Sequence, residues 1–455
     1  MISSPRRSAG ISKAFEHQRD EFSVSAEKAI LVSVALPHRP WLSADPCDEI
    51  RGLAETAGAN VVAELTQKRQ EVQLATYIGS GKLRELQELV EAHGADVIIF
   101  DNDLSPAQAR NLEKALNVKV LDRSEVILDI FATRARTHES KLQVELAQLE
   151  YSLPRLKQMW SHLSRQKGGG IGLRGPGETQ LEVDRRLVGG RIRDLKQKLA
   201  EVQARKEREV RSRGSEYTVS LVGYTNAGKS RLMNALTKSD VYVENKLFST
   251  LDTRTRQWHI KDWGRVLLSD TVGFIRDLPH ELVASFKATL EEARNAKLLL
   301  HVVDVSNPQA EEQIKSVNEV LKEVGCGDKP TILVLNKVDR ITDRMTLDVL
   351  RAQHPKAVAV SGLTGEGLES LEEGVIAALA ADFTEAEVVT EAANGRVLAF
   401  LNANAEIYRQ EFRDDANTVV VRCHLPRHLL HHIEGPKVTV TFLQGEPRRN
   451  GAPAH

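Results

Sequence analysis

Residues 218–230 read TVSLVGYTNAGKS and join an apolar run to a loop bounded by glycines. The β-branched run Thr218–Val222 predicts a buried strand, and the sequence RLMNAL after Ser230 predicts a helix. Between them, Gly223–Ser230 fits the pattern G-x-x-x-x-G-K-[ST]. A strand, a glycine loop and a helix in this order let backbone N–H groups surround an anion. We therefore interpret the segment as a phosphate-binding loop rather than a plain turn.

The residue types in this loop suit the phosphate chain of a nucleotide. Lys229 can reach the β- and γ-phosphates, and the Ser230 hydroxyl can ligate Mg²⁺. All eight loop residues are candidate nucleotide contacts: Gly223, Tyr224, Thr225, Asn226, Ala227, Gly228, Lys229 and Ser230.

Further strands downstream predict a doubly wound parallel α/β sheet around this loop. Leu298–Asp304 and Thr331–Leu335 read as buried strands, and helical patterns lie between them. Another strand pattern runs into the sequence DTVG, whose four residues are candidate nucleotide contacts. Asp270 can join the Mg²⁺ shell and the Gly273 N–H can contact a γ-phosphate, with Thr271 and Val272 between them.

The next motif, NKVD, selects the base. It comprises Asn336, Lys337, Val338 and Asp339. A carboxylate here can accept two hydrogen bonds from the N1–H and exocyclic amine of guanine, and adenine offers no such donor pair. The motifs therefore favour GTP over ATP. A later segment, Ser361, Gly362 and Leu363, follows a short strand and is expected to close over the base.

With these motifs in the family order, residues 216–382 resemble a translation-factor-class GTPase domain. The resemblance implies that Thr250 is the switch I threonine that ligates Mg²⁺ together with Ser230. Its neighbours are expected to lie near the nucleotide: Phe248, Ser249, Leu251 and Asp252. The residues expected to act in catalysis are Lys229, Thr250 and Gly273.

Two residues bear on how fast GTP is hydrolysed. Phe274 follows Gly273 where many relatives carry a glutamine that orients the attacking water, and a phenyl ring cannot do so. We therefore expect slow hydrolysis that a partner accelerates. Asn226 resembles the asparagine of GTPases that use a monovalent cation such as K⁺. A loop-shaping asparagine explains it equally well, so the sequence leaves both interpretations open.

The 455 residues predict several domains. We expect an N-terminal tail (1–27), an α/β domain (28–135), a helical hairpin (136–214), the GTPase domain (215–382) and a small C-terminal α/β domain (383–455). The α/β domain is predicted to include strands at Val61–Leu65 and Gln70–Tyr77. The C-terminal domain is predicted to contain a helix over Arg396–Phe412 and strands over Thr418–Leu425 and Lys437–Phe442.

The hairpin is indicated by two heptad patterns of apolar residues, one from Leu142 to Leu163 and one from Val188 to Val202. Gly168–Gly177 between them cannot continue a helix, which predicts an antiparallel pair with a glycine-rich tip. Residues 134–213 hold 19 Lys and Arg against 10 Asp and Glu, so they carry +9 although the whole chain carries −1.

A basic projecting arm suits RNA, and a coiled-coil dock for a protein effector is the alternative. The candidate RNA contacts at the tip are Arg165, Lys167, Gly169, Arg174 and Gly175.

Five segments closely resemble the HflX family of GTPases: residues 134–149, the tip segment GIGLRGPGETQLE, the loop Gly223–Ser230, DTVGFIRDL at Asp270–Leu278, and Phe286–Leu290. The resemblance implies a GTPase that binds the large ribosomal subunit, with its tip towards the peptidyl-transferase RNA, and that splits or rescues stalled or stress-damaged ribosomes. Two residues depart from the family pattern: Arg231 stands where a small hydroxyl residue is usual, and Thr253 where proline is usual.

The remaining features bear on where in the cell the protein is located. The three cysteines lie far apart and fit no C-x-x-C pattern, which predicts reduced thiols. No apolar run approaches the length of a membrane span. We therefore expect a monomeric cytoplasmic protein, and the sequence leaves peripheral membrane association open.

Overall fold

A computed structural model defines the fold. It describes residues 26–37, 39–41, 44–155, 180–212, 217–239, 247–248, 250–261, 263–276, 291–341, 344–380, 383–413, 417–426, 433, 435 and 438–442. Among these residues, no helix combines the length and the apolar character needed to cross a membrane.

The N-terminal domain is a four-stranded parallel sheet with helices on both faces, in the strand order β2-β1-β3-β4. Its elements are β1 Lys28–Ala35, α1 Asp48–Ala57, β2 Asn60–Lys68, α2 Ser80–His93, β3 Val97–Phe100, α3 Pro106–Leu116, β4 Lys119–Leu121 and α4 Arg123–Arg134. Capping boxes start two of the helices, with Ser105 before α3 and Asp122 before α4.

The predicted strand over Gln70–Tyr77 is wrong. This segment is a tight turn that closes through an isolated bridge between Gln73 and Tyr77. Leu74, in the middle of the segment, is 88% exposed, so its apolar pattern does not pack against a sheet.

Two helices, α5 His138–Ser152 and α6 Gln180–Ser212, form the helical pair. Leu142, Leu146 and Leu149 of α5 are buried against Ile192 and Leu195 of α6, as the heptad pattern predicts.

The described ends of the helical pair both contact the domain that holds the phosphate loop. The first residues before α5 bond to Asp252, and Gln203 in the C-terminal part of α6 bonds to Glu291. This arrangement is what an antiparallel pair requires. The predicted glycine-rich tip, 168–177, lies outside the described residues.

The phosphate-loop domain is a six-stranded sheet in the order β10-β9-β8-β5-β7-β6, parallel except for β6. Its elements are β5 Tyr217–Gly223, α7 Lys229–Thr237, β6 Arg254–Ile260, β7 Gly264–Asp270, α8 Glu291–Asn295, β8 Leu298–Asp304, α9 Ala310–Glu323, β9 Thr331–Asn336, α10 Arg344–Gln353, β10 Val358–Ala359 and α11 Leu368–Ala380. The strand order reverses at β5, so the predicted doubly wound fold is confirmed.

The C-terminal domain is an antiparallel sheet in the order β12-β13-β11-β14 with one helix packed on it. Its elements are β11 Phe383–Glu391, α12 Gly395–Asn404, β12 Glu406–Arg413, β13 Thr418–Pro426 and β14 Val438–Phe442. The predicted helix over Arg396–Phe412 is therefore too long. It ends at Asn404, and the rest forms β12 because those residues pair with β13.

One cluster of buried apolar side chains spans the N-terminal and phosphate-loop domains. It includes Ile50 and Leu53 of α1, Phe131 of α4, and Phe248 and Phe274 from the two switch segments. Phe131 and Phe248 meet edge to face with ring centroids 4.6 Å apart. Packing against the N-terminal domain therefore involves the segments that border the phosphate loop.

Candidate functional site

The phosphate loop follows β5, the strand at which the strand order of the sheet reverses. Its two glycines are needed because neighbouring atoms leave no room for a side chain. A Cβ on Gly223 would lie 2.2 Å from the Val302 carbonyl oxygen, and one on Gly228 would lie 2.4 Å from Nδ2 of Asn336. Both glycines have positive φ, +149° and +95°. The loop then runs directly into α7, whose first N–H groups point into the loop.

Lys229 is held beneath the loop. Its Nζ donates to the carbonyl oxygens of Gly223 at 3.0 Å and Tyr224 at 2.9 Å. The side chain is buried, and burial lowers the pKa of its ammonium group to about 8. The nearby Asp270 charge offsets this burial only in part, and a bound phosphate would supply further negative charge beside the ammonium group.

Three side chains that the sequence places far apart converge on one point beside the loop. The carboxylate Oδ2 of Asp270 accepts hydrogen bonds from Ser230 Oγ at 2.6 Å and Thr250 Oγ1 at 3.1 Å, and the two hydroxyls lie 2.8 Å apart. Burial raises the pKa of the Asp270 carboxyl. Its other oxygen, Oδ1, is buried without a hydrogen-bond partner.

This donor set fits Mg²⁺. The three groups are hard oxygen ligands, and the unpartnered Oδ1 of Asp270 leaves one acceptor for a cation or its water. Ser230 and Thr250 are the two residues that the sequence assigned to the metal.

The guanine motif is tied to the phosphate loop by Asn336. Its Nδ2 donates to the Ala227 carbonyl at 2.9 Å, and its Oδ1 accepts the Gly362 N–H at 3.0 Å. Asn336 therefore joins three motifs rather than acting on the base alone. Nearby, Lys337 pairs with Asp304 at 2.6 Å.

Asp339 lies where a base-selecting carboxylate is expected. Its Oδ1 accepts a hydrogen bond from Ser361 Oγ at 2.5 Å, and Ser361 Oγ in turn accepts the N–H groups of Leu363 and Thr364. This network fixes the loop after β10 beside the carboxylate. Leu363 is 61% exposed, as a residue that covers a ligand from the solvent side would be.

The segment after Asp270 lies directly on the phosphate loop. The Phe274 N–H donates to the Gly223 carbonyl at 3.1 Å, and the Thr225 N–H donates to the Phe274 carbonyl at 2.7 Å. A Cβ on Gly273 would lie 2.8 Å from Thr225 Cγ2 and 2.9 Å from Thr225 Cα, so only glycine fits there without displacing a neighbour. The Phe274 ring is buried in the cluster shared with the N-terminal domain.

The structure thus gathers most of the predicted nucleotide contacts at one edge of the sheet. They are the loop 223–230, Thr250, Asp270–Gly273, Asn336–Asp339 and Ser361–Leu363. The side chains of Phe248 and Leu251 lie instead in the cluster shared with the N-terminal domain, and the Asp252 carboxylate bonds to Arg136 and Thr137. Ser249 and the five tip residues predicted to contact RNA (Arg165, Lys167, Gly169, Arg174 and Gly175) lie outside the described residues.

Sequence reasoning missed a polar network between the N-terminal domain and the loop. Arg123 is fully buried and bonds to Asp101 at 2.6 Å and Glu49 at 2.8 Å. The Tyr224 hydroxyl donates to Glu49 and accepts the Arg276 N–H at 2.7 Å. These residues come from five separate segments, and no local sequence pattern connects them.

Beside this network, a cavity of about 390 Å³ opens between α1 and the phosphate loop. Asn226 and Thr225 line one wall. The acidic residues on its lining are Asp48, Glu49, Glu55 and Asp304. Glu49 and Asp304 are paired with Arg123 and Lys337, so any excess negative charge beside Asn226 comes from Asp48 and Glu55.

Three family models match the chain in succession. "GTP-binding GTPase N-terminal" matches residues 44–132, "GTP-binding GTPase Middle Region" matches 134–213, and "50S ribosome-binding GTPase" matches 218–337. Together they cover the N-terminal domain, the helical pair and most of the phosphate-loop domain.

Curated proteins are similar over nearly the whole chain. GTPase HflX of Magnetococcus marinus is 44% identical over 432 residues, which are 93% of this chain and 96% of that protein. GTPase HflX of Escherichia coli is 43% identical over 406 residues, 88% of this chain and 94% of that protein.

Among solved structures, a GTP-binding protein from Sulfolobus solfataricus in complex with GDP is 25% identical. It covers 77% of this chain and 98% of its own, with a TM-score of 0.42.

By the extent and identity of the curated relatives, this chain belongs to the HflX family of GTPases, which bind and hydrolyse GTP.

Proposed function

We propose that this GTPase acts on the large ribosomal subunit, with the tip between its two helices directed at the peptidyl-transferase RNA, and that it splits or rescues stalled ribosomes. The observation that carries the proposal is the connection between a basic arm and the nucleotide site. Residues 134–213 carry +9, and the first helix of the arm begins at a hydrogen bond to Asp252, two residues from Thr250. The matched family description, a 50S ribosome-binding GTPase, supports it.

The chemistry at the site follows from the residues that converge there. The loop N–H groups and Lys229 hold the β- and γ-phosphates, while Asp339 accepts the two guanine hydrogen bonds. Ser230, Thr250 and Asp270 would hold Mg²⁺, which supplies charge compensation on the phosphates. The Gly273 N–H would contact the γ-phosphate, so that the switch segments respond to hydrolysis.

Hydrolysis is slow in the isolated protein because the residue after Gly273 brings no polar group to the attacking water. Phe274 is only 4% exposed, with its ring in the interdomain cluster. A partner that completes the site would therefore raise the rate, and the large ribosomal subunit is the partner we propose.

The test compares GTP turnover with and without purified large ribosomal subunits. We expect strong stimulation by subunits, lost when Gly168–Gly177 is replaced by a neutral linker of equal length. A control that leaves the arm intact replaces Ala392 and Ala393, the turn between β11 and α12 in the C-terminal domain, with Gly and Ser. Equal turnover with and without subunits would contradict the proposal.

A protein effector that docks on the helical pair is the second candidate, because the pair presents a heptad seam as well as charge. The two candidates differ in their dependence on salt. RNA binding should weaken steeply as salt rises and be lost after RNase treatment, whereas an apolar coiled-coil dock should resist both. Binding that survives RNase and high salt would favour the effector.

We also propose that K⁺ assists turnover at Asn226. The support is the cavity beside this residue, whose lining includes the carboxylates of Asp48 and Glu55. Replacing K⁺ by Na⁺ at constant ionic strength should lower turnover, and Asn226→Ala should remove the difference. Equal rates in the two salts would leave Asn226 as a loop-shaping residue.

A further inference from the structure

Residues on both sides of Thr250 contact one short stretch of the chain. That stretch is the junction between α4 and α5, residues 131–137, where the N-terminal domain passes into the helical pair. On one side of Thr250, the Phe248 ring packs edge to face on Phe131. On the other side, the Asp252 carboxylate bonds to Arg136 and Thr137.

The contacts of Asp252 are specific in geometry. Its Oδ2 accepts the backbone N–H groups of Arg136 at 3.2 Å and Thr137 at 3.3 Å, and its Oδ1 accepts the Thr137 hydroxyl at 2.7 Å. Thr137 is also the N-cap of α5, since its Oγ1 accepts the Ser140 N–H at 3.1 Å. A carboxylate at this position is favoured by the helix dipole as well as by the three donors.

The link from Asp252 to the nucleotide site is short and stiff. Leu251 is the single residue between Asp252 and Thr250, and it is 2% exposed within the interdomain cluster. Two residues of extended chain span at most about 7 Å, so a shift of Asp252 cannot be absorbed by slack. The Thr250 hydroxyl, at the other end, lies 3.1 Å from Asp270 and 2.8 Å from Ser230.

We propose that Asp252 is a positioning residue for GTP hydrolysis: by anchoring switch I to the first turn of α5, it makes the placement of Thr250 depend on the orientation of the helical pair. The proposal rests on the proposed role of Thr250 as a magnesium ligand. Tilting of α5 by a partner bound at its far end would reach Thr250 through one carboxylate and one buried leucine. The first turn of α5 therefore serves as part of the switch.

The test uses variants at both ends of the contact. Asp252→Ala removes the acceptor, Thr137→Val removes the hydroxyl at nearly constant shape, and Thr137→Ser restores it. We expect the first two to raise the Mg²⁺ concentration for half-maximal turnover and to lower affinity for a non-hydrolysable GTP analogue about fivefold. Affinity for GDP should stay near wild type, because switch I ligates the metal only when a γ-phosphate is present.

Two controls separate positioning from stability. Ser105→Ala removes an equivalent N-cap from α3, which bonds within the N-terminal domain, and should lower the melting temperature without changing Mg²⁺ dependence. The double variant Asp252→Ala with Thr137→Val should match Asp252→Ala in Mg²⁺ dependence, because the hydroxyl contact that Thr137→Val removes is one of those already lost in Asp252→Ala.

Additive effects in the double variant, a loss of GDP affinity equal to that for the GTP analogue, or wild-type Mg²⁺ dependence in Asp252→Ala would each overturn the proposal. Thr250→Ala, measured alongside, tests the metal role separately. An unchanged Mg²⁺ requirement in that variant would refute the ligand assignment and, with it, the proposed route from Asp252 to the metal. None of these measurements involves ribosomes, so their failure is distinct from failure of the ribosome proposal.

Discussion

The hydroxyl of Tyr224, in the phosphate loop, donates a hydrogen bond to the carboxylate of Glu49, in the first helix of the N-terminal domain. The same hydroxyl accepts the backbone N–H of Arg276, three residues after Gly273. Burial and the neighbouring Glu49 charge raise the pKa of Tyr224 well above its usual value, so the hydroxyl stays protonated as a donor. One side chain thus joins the nucleotide loop, a switch and a second domain.

Removing this hydroxyl should destabilise the protein. Tyr224→Phe keeps the buried ring but deprives the Arg276 N–H of its acceptor and Glu49 of a donor. We expect a loss of about 1–3 kcal/mol in the free energy of unfolding, because the groups are desolvated. Denaturant titration measures it.

The matched control for that variant is Tyr408→Phe in the C-terminal domain. The Tyr408 hydroxyl also donates to a glutamate, Glu385, but the side chain is 42% exposed. Water replaces the lost partner there, so the change should be below about 0.5 kcal/mol. Equal losses in the two variants would show that the interdomain position of Tyr224 is immaterial.

A second prediction concerns pH. Burial, followed by the charge of Asp122, raises the pKa of Glu125 well above its usual value. A carboxyl whose folded pKa is raised takes up a proton on folding, so its contribution to stability falls as pH rises above its unfolded pKa of about 4.3. Glu125→Gln should therefore raise the melting temperature at pH 7.5 and change it little at pH 4.5. A scan across that range checks it.

The glutamine variant keeps the capping contact, since its amide oxygen can still accept the Asp122 N–H that Glu125 accepts at 3.0 Å. Glu88→Gln, on the exposed side of α2, is the control and should give no pH-dependent difference. A gain for Glu125→Gln that shrinks towards pH 7.5 would have the opposite sign to the expected linkage.

Base selectivity should depend on Asp339. In Asp339→Asn the amide presents a donor where guanine also presents donors, so affinity for GTP should fall at least about thirtyfold, and xanthosine nucleotides, which offer an acceptor, should bind better than GTP. Competition against a fluorescent nucleotide measures both. Asp328→Asn, at an exposed turn, should leave both affinities unchanged. Retained preference for guanine in Asp339→Asn would remove the carboxylate from base recognition.

The Phe274 ring should stabilise the packing between the N-terminal and phosphate-loop domains. Phe274→Ala empties a buried site in the interdomain cluster, so we expect a loss of about 3–5 kcal/mol in the free energy of unfolding. Phe412→Ala removes the same ring at a site that is 66% exposed and should cost less than about 0.5 kcal/mol. A small loss for Phe274→Ala would indicate that its ring does not support the interface between the domains.

The sequence pattern predicted the structure correctly where an element depends on residues that are close together in the chain. The strand, glycine loop and helix around Gly223–Ser230 follow from residue types and spacing, and so does the apolar seam of the helical pair. Local pattern failed where tertiary pairing overrode it. Residues 405–412 continue a helical pattern in the sequence, yet most of them form a strand because they pair with β13. Residues 70–77 have a strand-like apolar pattern, yet they form a turn and pair with no strand of the sheet.

The sequence by itself determined the nucleotide chemistry, because each ligand lies at a fixed offset from the end of a strand and the carboxyl ends of parallel strands meet at one edge. Only the tertiary structure decided how that site is connected to the rest of the chain. The bonds of Tyr224 to Glu49 and of Asp252 to Thr137 join residues 175 and 115 positions apart. No periodicity or motif spans such distances; only the packing of one domain against the other brings these groups together.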